Sequence, residues 1–591
     1  MTRCRWKGST RDRGVLLPAV PFAAALIGLL LPLGARKAAA TLAVAGAAAA
    51  LVIAVLLGEA DESRQWVRLG DLTVTFGVSV DRPAILVAIA VGVVALAVQV
   101  YSIAYLAGDE RYPPYAAQIS LFTAAMLLVV VAGDLIMLLV GWEVMGICSY
   151  LLIGHNRHLP EAPAAAVKAF VVTRVGDVGF LLGIAVLGIG AGTFRIADVL
   201  AHDYDTTTLT VAGLLLLAGV AGKSAQFPLH TWLPDAMAGP TPISALIHAA
   251  TMVAAGIYVV TRLYPLFTGT ALAVLGVMAA VTLLLGALAA TAQDDIKRVL
   301  AWSTVSQIGY MAGALAVGST SAALFHLLTH AAFKALLFLA AGCVIHAVGS
   351  NLMSRMGGLR RDMPVTFWSF AIGLGALAGL PPLAGFWSKE GVIYAAQHPH
   401  GPAPEWVGWL VWLAALAGVA ITALYAARLL RGVFFGAADT HGHEAPPLMR
   451  WPVALLAIPS ALLGLAVFWP AFREALGLEG VHLDAWVLLP VALLAAGAVV
   501  GWRGVPTVPA FARAFWLDEV QHFLLVRPVR FAARGLRLTD EVGVDGLVEG
   551  TGRLAVHLGR RLAAAHRTGL PRAATAVLAA AVLLAALGVI L

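Results

Sequence analysis

Apolar runs recur along almost the whole chain, separated by short polar stretches, and a helix needs about 20 such residues to cross a bilayer. Read in order, they predict a first span to about Pro32, others near 38–57 and 84–106, and a near-continuous series from Ala116 to residue 435. Further spans follow near 452–470, 485–501 and 573–591. The total is about sixteen, two of them broken. The runs are too long and too uniformly apolar for barrel strands. The predicted fold class is therefore an all-α polytopic membrane protein.

Two segments depart from this pattern. Glu59 to Arg82 is polar, and Leu72-Thr-Val-Thr-Phe76 within it reads as an extended strand of a short surface hairpin. From Phe511 to about Arg567, residues such as Phe523, Phe531, Leu536, Leu547 and Leu562 alternate with many charges. That is the mark of an amphipathic lateral helix, lying along the bundle or the membrane surface. Continuous, it would be on the order of 80 Å long, enough to reach across neighbouring subunits, with the last span anchoring its far end.

Composition sharpens the class. Of 591 residues, 60% are hydrophobic and 12% charged, about half the charge of a soluble domain. The formal charge of +7 belongs to loops and membrane surface, with no nucleic-acid patch. Cys4, Cys148 and Cys343 lie far apart, without metal or disulfide spacing. The glycines sit inside apolar helices and form no dinucleotide fingerprint. Redox chemistry, and any cofactor or metal, is expected elsewhere than in this chain.

The polar residues inside the spans carry the message. The apolar run from Leu214 is cut by Gly222-Lys223-Ser-Ala-Gln-Phe-Pro228 and continues past Pro242 to a run bearing His248. Lipid cannot replace the backbone bonds lost at such a break, so the break must be buried in protein or line a wet cavity. A broken helix with an ionisable group at the break is the device of ion-translocating proteins. Glu143 lies in the fifth span, and Lys168, Arg174 and Asp177 in the sixth; Arg174 and Asp177 are three apart and can pair. Gln293-Asp294-Asp295-Ile-Lys297-Arg298 reads as a cap cluster at the membrane surface.

His326, His330 and Lys334 repeat every four residues along one helix face. They lack the nearby acidic or third imidazole ligand of a zinc site, and the spacing suits a proton wire. A lone His248 would read equally as a hydrogen-bonded core residue. A second break, Leu380-Pro-Pro-Leu-Ala-Gly-Phe-Trp-Ser-Lys389-Glu390, repeats the grammar of the first and suggests an internal, inverted duplication.

These features divide the chain into N-terminal spans (1–115), a first half broken at 222–240 (116–265) and a second broken at 380–390 (266–435). Two more spans (436–510), the amphipathic helix (511–570) and a terminal anchor (571–591) complete it.

The string from Gly222 to Met252 closely resembles the proton-conducting membrane subunits of respiratory complex I, NADH:quinone oxidoreductase. Gly141-Trp-Glu143, Gln293 to Arg298, His330-Ala-Ala-Phe-Lys334 and Gly385-Phe-Trp-Ser-Lys389-Glu390 fit it as well, and the amphipathic segment plus one span is similar to the distal, L-type branch. The resemblance covers about residues 15–591.

It implies a Glu143–Lys223 ion pair in a first half-channel, with His248 relaying protons near the break. Arg174 and Asp177 would bias Glu143. His326, His330 and Lys334 would lead into a second half-channel ending at Lys389 and Glu390. No counterpart of Glu143 is evident in that second half. Implied partners are the other membrane-arm subunits, above all the M-type antiporter-like one, and lipids. The complex as a whole would use NADH, FMN, iron-sulfur clusters and a quinone. Kin with the same grammar serve cation/proton antiporter and bicarbonate-uptake complexes, and a chiefly structural role is a further alternative.

The arginine-rich segment 503–572 is expected on the cytoplasmic side of a bacterial cell membrane. Fifteen spans counted back put the N-terminus outside, against the basic Arg3, Arg5, Lys7, Arg11 and Arg13.

Overall fold

The computed structural model describes residues 10–70, 72–436, 442–480, 485–567 and 569–590. Arg3, Arg5, Lys7 and Cys4 lie outside the described residues. The chain falls into two compact units, Met1–Phe515 and Trp516–Leu591.

The first unit opens with α1 (Thr10–Leu30) and α2 (Arg36–Val55). An antiparallel hairpin follows, β1 (Ala60–Leu69) and β2 (Leu72–Val80), with a bulge between Gln65 and Val67, where the sequence predicts one. Then come α3 (Arg82–Tyr105), α4 (Tyr112–Val131), α5 (Leu135–Ile153), α6 (Glu161–Ala191) and short α7 (Ile196–Ala201). The first broken region comprises α8 (Thr206–Lys223), α9 (Trp232–Asp235), α10 (Thr241–Ala249) and α11 (Met252–Arg262).

After it stand α12 (Gly269–Thr291), α13 (Ile296–Ala316) and α14 (Thr320–Val348). The second broken region is α15 (Pro364–Ala378) with α16 (Ala384–Gln397). The unit ends with α17 (Glu405–Phe434), α18 (Pro447–Leu462), α19 (Pro470–Leu476), α20 (Leu488–Arg503) and α21 (Pro509–Ala512).

Among the described residues, fourteen spans are long and apolar enough to cross a membrane, α10 and α11 counting as one. Two further elements bring the number to the sixteen expected. Helix α13 is buried along nearly all its length, and Lys297, Arg298, Ser303, Thr304, Ser306 and Gln307 lower its hydropathy. The α15–α16 pair is a span cut in two.

Two helix pairs share one anchoring plan. Asp134 caps α5, its carboxylate accepting from the Ile136 N–H at 2.8 Å, and Asp295 caps α13 by accepting from Lys297 and Arg298. Both caps lie in isolated β-bridges: Asp134 with Arg195 and Asp295 with Leu352. The bridging strands follow α6 and α14, which end in left-handed glycines, Gly192 (φ +69°) and Gly349 (φ +72°). Asp134 also ties in the hairpin, accepting from the Thr75 N–H and hydroxyl at 2.8 Å each.

Small residues bring α6 against α8. A methyl at Gly179 would lie 2.7 Å from the Ala218 Cβ, and one at Gly176 2.5 Å from the Ala218 carbonyl oxygen. That close approach sets the charges of α6 beside the end of α8.

In the second unit, α22 (Leu517–Gln521), α23 (Arg527–Leu538) and α24 (Asp545–His566) join through π-helical turns at His522–Val526 and Thr539–Val544. The result is one uninterrupted helical path, roughly 75 Å at 1.5 Å per residue. Arg537–Glu541 and Arg553–Glu549 pair along it four residues apart. The apolar α25 (Leu570–Ile590) follows.

Candidate functional site

Helix α8 ends at Lys223 because the following backbone turns away, with Ala225 at φ +48°. The Trp232 indole N–H donates to the Gly222 carbonyl at 2.9 Å and holds the turn against the helix end. Lys223 is 0% exposed. Its Nζ lies 3.4 Å from Asp177 Oδ2 and over the Trp142 ring, and the Trp142 indole donates to the other Asp177 oxygen at 2.6 Å.

This corrects the expected Glu143–Lys223 pair. Glu143 forms its ion pair with Arg174, and its side chain keeps 32% exposure. Helix phase is the reason: neighbours on a helix point about 100° apart, so burying Trp142 against Asp177 turns Glu143 outward. The Arg174–Asp177 pair forms at 3.2 Å as expected. Gly146 leaves room for both cations, since a Cβ there would meet Arg174 Nη2 and Lys223 Nζ.

From the break, buried polar groups continue toward α14. His248, at the end of α10, has no protein partner on either ring nitrogen and lies 4.7 Å from the Phe338 ring. The helix breaks at once after it, Thr251 taking φ −122° and ψ −106°, and the His330 Nδ1 makes a 3.4 Å contact with the Ala249 carbonyl. The His326 and His330 rings lie 6.3 Å apart on α14. Lys334, one turn on, donates to the Leu300 carbonyl at 3.1 Å and to the Ser303 hydroxyl.

At the second break Gly379 takes φ +88° and closes α15. Lys389, on α16, reaches back to donate to the Leu377 carbonyl at 2.8 Å and sits 5.0 Å over the Tyr310 ring. Ser388 beside it bonds His326 Nδ1 at 2.9 Å and accepts from the Thr329 hydroxyl at 2.7 Å. Glu390 is half-buried and lines, with Lys389, a small cavity beside Val419 and Pro490.

Sequence reasoning missed Ser388, Thr329, Ser303 and Trp142, which give no signal in an apolar helix. It also placed Lys297 in a surface cap cluster. In the structure Lys297 is buried and donates to the Met237 and Gly239 carbonyls at 2.6 and 2.7 Å, bracing the chain after the first break. Asp295 is the expected cap, and Asp294 holds Ser354 at 2.6 Å. Lys168 pairs with Asp235 at 2.6 Å. Lys168, Asp235, Asp295 and Lys297 line a vestibule of about 790 Å³ that also includes Asp109, His155, Glu161 and Arg298.

The vestibule rim lies outside the spans. There the Asp109 carboxyl is partly desolvated, which raises its pKa, but bonds from His155 at 2.8 Å and the Arg111 N–H hold it below the usual range. Among the described residues no cluster of three or more His, Cys, Asp or Glu could hold a metal ion.

Comparison with known proteins gives the family. A profile described as "NADH:quinone oxidoreductase/Mrp antiporter, TM" matches residues 132–422, and one described as "NADH-Ubiquinone oxidoreductase (complex I), chain 5 N-terminus" matches 66–116. NADH-quinone oxidoreductase subunit L of Mycobacterium tuberculosis is 40% identical over 622 aligned positions, covering 97% of both chains. The chain belongs to the subunit L family of NADH-quinone oxidoreductases. Subunit L of Escherichia coli K12 is 42% identical over 68% of this chain and 67% of its own. The solved Mrp complex from Dietzia sp. DQ12-45-1b superposes with TM-score 0.75 at 30% identity, over 98% of this chain and 63% of that one. As a subunit L family member, the chain is an antiporter-like, multi-pass membrane protein.

Proposed function

We propose that this chain translocates protons within the membrane arm of an NADH:quinone oxidoreductase, through two half-channels joined by the buried histidines. The supporting observation is the file of fully buried titratable groups from Lys223 through His248, His330 and His326 to Lys389. Several of its nitrogens have no protein partner. Buried polar groups in native proteins are nearly always satisfied, so such a file calls for water along it. Imidazole both donates and accepts and can pass protons through that water.

The control element is the acid–base cluster at the first break. Asp177 Oδ2 is shared by Arg174 at 3.2 Å and Lys223 at 3.4 Å, while Glu143 holds Arg174 from the other side. Moving Arg174 toward or away from Asp177 changes the counter-charge that Lys223 feels, and with it the hold of Lys223 on its proton. Glu143 and Arg174, both partly exposed, are where a neighbouring subunit would push.

In this reading the complex sits in the bacterial cell membrane with the N-terminus outside and the vestibule facing the cytoplasm. Its neighbours are the M-type subunit and lipids, and NADH, FMN, iron-sulfur clusters and quinone belong to the rest of the complex. The test is Lys223→Ala in the intact complex. Assembly and quinone reduction persist, while NADH-driven proton uptake into vesicles is lost; normal uptake would refute the reading. The likeness to an Mrp complex favours cation/proton antiport as the second reading, and sodium-dependent proton movement without NADH oxidation would select it.

A further inference from the structure

His230 lies in the turn after the first break, seven residues beyond Lys223 and five before Asp235. It is 1% exposed, and neither ring nitrogen has a protein partner within hydrogen-bond distance. Aromatic rings flank it, Phe227 stacked at 6.1 Å and Trp302 of α13 tilted at 5.8 Å. What remains for polar contact is the edge that bears the nitrogens. A neutral imidazole carries one donor and one acceptor there, and leaving both unmet in a dry pocket costs the desolvation of each. Water, supplied from a wet cavity, satisfies both.

The turn connects two places already described. On one side the Trp232–Gly222 bond folds it against the end of α8, one residue from Lys223. On the other the chain runs directly into the vestibule wall, which includes Pro234, Asp235, Met237 and Gly239. Charged and polar groups approach from each packed element. Lys168 on α6, paired with Asp235, is close enough for its charge to act on the imidazole. Helix α13 contributes Trp302 and, five residues earlier, Lys297 bound to the Met237 and Gly239 carbonyls, and Lys223 at the end of α8 stands seven residues back along the chain with its ammonium at Asp177. Helix α12 holds the turn through the Phe227 N–H and Thr282 at 2.9 Å.

We propose that His230 is the relay through which protons taken up in the vestibule reach Lys223. A proton arriving through vestibule water binds one ring nitrogen, and the N–H on the other nitrogen gives up its proton, through water, to the neutral amine of Lys223. Lys223 becomes an ammonium, and the imidazole is left as the opposite tautomer, reset by ring rotation. The proposal rests on the half-channel reading above and adds the uptake step to it.

The test uses the whole complex carrying His230→Gln, in liposomes. Glutamine keeps a donor and an acceptor but cannot pass a proton through itself. The readout is protons moved per NADH oxidised, followed as the pH on the vestibule side is raised. The expected result is normal assembly with a several-fold lower proton yield, the deficit growing with pH as protons become scarce. No deficit, or one equal at every pH, overturns the proposal, the second outcome marking a structural role. If the glutamine variant does not assemble, His230→Asn is measured in the same way. Lys223→Ala run alongside separates the failures: if it too pumps normally the half-channel reading falls, and if it alone is silent only the His230 step falls.

Discussion

Lys223 at the first break faces a carboxylate, whereas Lys389 at the second donates to a backbone carbonyl, although both ammonium groups sit at the C-terminal end of the first half-helix. The anchoring points make the two regions comparable residue by residue. Eight positions after the capping aspartates stand Trp142 and Ser303; fifteen before the closing glycines stand Asp177 and Lys334. Trp142 donates to Asp177, and Lys334 donates to Ser303. The same contact is kept with the charge reversed.

Glu143 falls opposite Thr304, whose hydroxyl only bonds its own helix at Leu300. The two regions share a backbone plan, and an acidic cluster in the first stands where the second has a cationic one. A carboxylate offers a full counter-charge that moves with a side chain, and a carbonyl offers a fixed dipole. In the proposed reading, the hold of Lys223 on its proton follows ion-pair geometry, whereas Lys389 has only the Leu377 carbonyl to donate to.

The largest effect that would break this comparison is expected from Asp177→Asn. Removing one partner of a buried pair costs about 3–5 kcal/mol, so proton yield per NADH should fall by roughly tenfold or more, and thermal stability with it. Glu143→Gln should fall less, because Glu143 is partly exposed and reaches Lys223 only through Arg174. The reverse order in a vesicle pumping assay would restore Glu143 as the direct partner of Lys223.

That order could not be read from sequence. Lys223, Lys334, Lys389 and both breaks were legible because proline, glycine and charge inside apolar runs are costly and therefore conspicuous; Lys297, at the end of a run, was not. Which carboxylate meets Lys223 depends on the phase of α5 and on one tryptophan indole, and neither leaves a mark in composition. Ser303, Thr329 and Ser388 were invisible because hydroxyls in membrane helices commonly bond their own backbone, as Thr304 does. The long amphipathic helix was legible from its pattern, but its π-helical turns at His522–Val526 and Thr539–Val544 were not.

A smaller effect should sharpen the cationic side. Ser388→Ala removes the partner of both His326 and Thr329. A lost hydrogen bond of about 1 kcal/mol predicts a proton yield lowered several-fold, with assembly intact. An unchanged yield would mean that His326 is oriented by packing alone.

The smallest effect is expected at the rim. Asp109 is held below the usual carboxylate range in the folded protein, so it contributes stability above its unfolded pKa of about 3.9. That contribution disappears as pH falls through the lowered folded value. Asp109→Asn should therefore lower the melting temperature slightly at neutral pH and not at all once the wild-type carboxylate is protonated; a deficit that persisted in acid would assign the effect to the His155 contact instead.

Residues 294–298 are attached in three directions at once: to the start of α13 through Asp295, to the loop after α14 through Asp294 and Ser354, and to the chain after the first break through Lys297. Mechanically this is a tie between the chain after the first break and α13. A shift of the first break by an ångström cannot be absorbed locally, because the Lys297 side chain would pull on α13, and α13 carries Ser303 and Tyr310, the neighbours of Lys334 and Lys389. Five consecutive residues thus tie the chain after the first break to the helix that carries the contacts of Lys334 and Lys389.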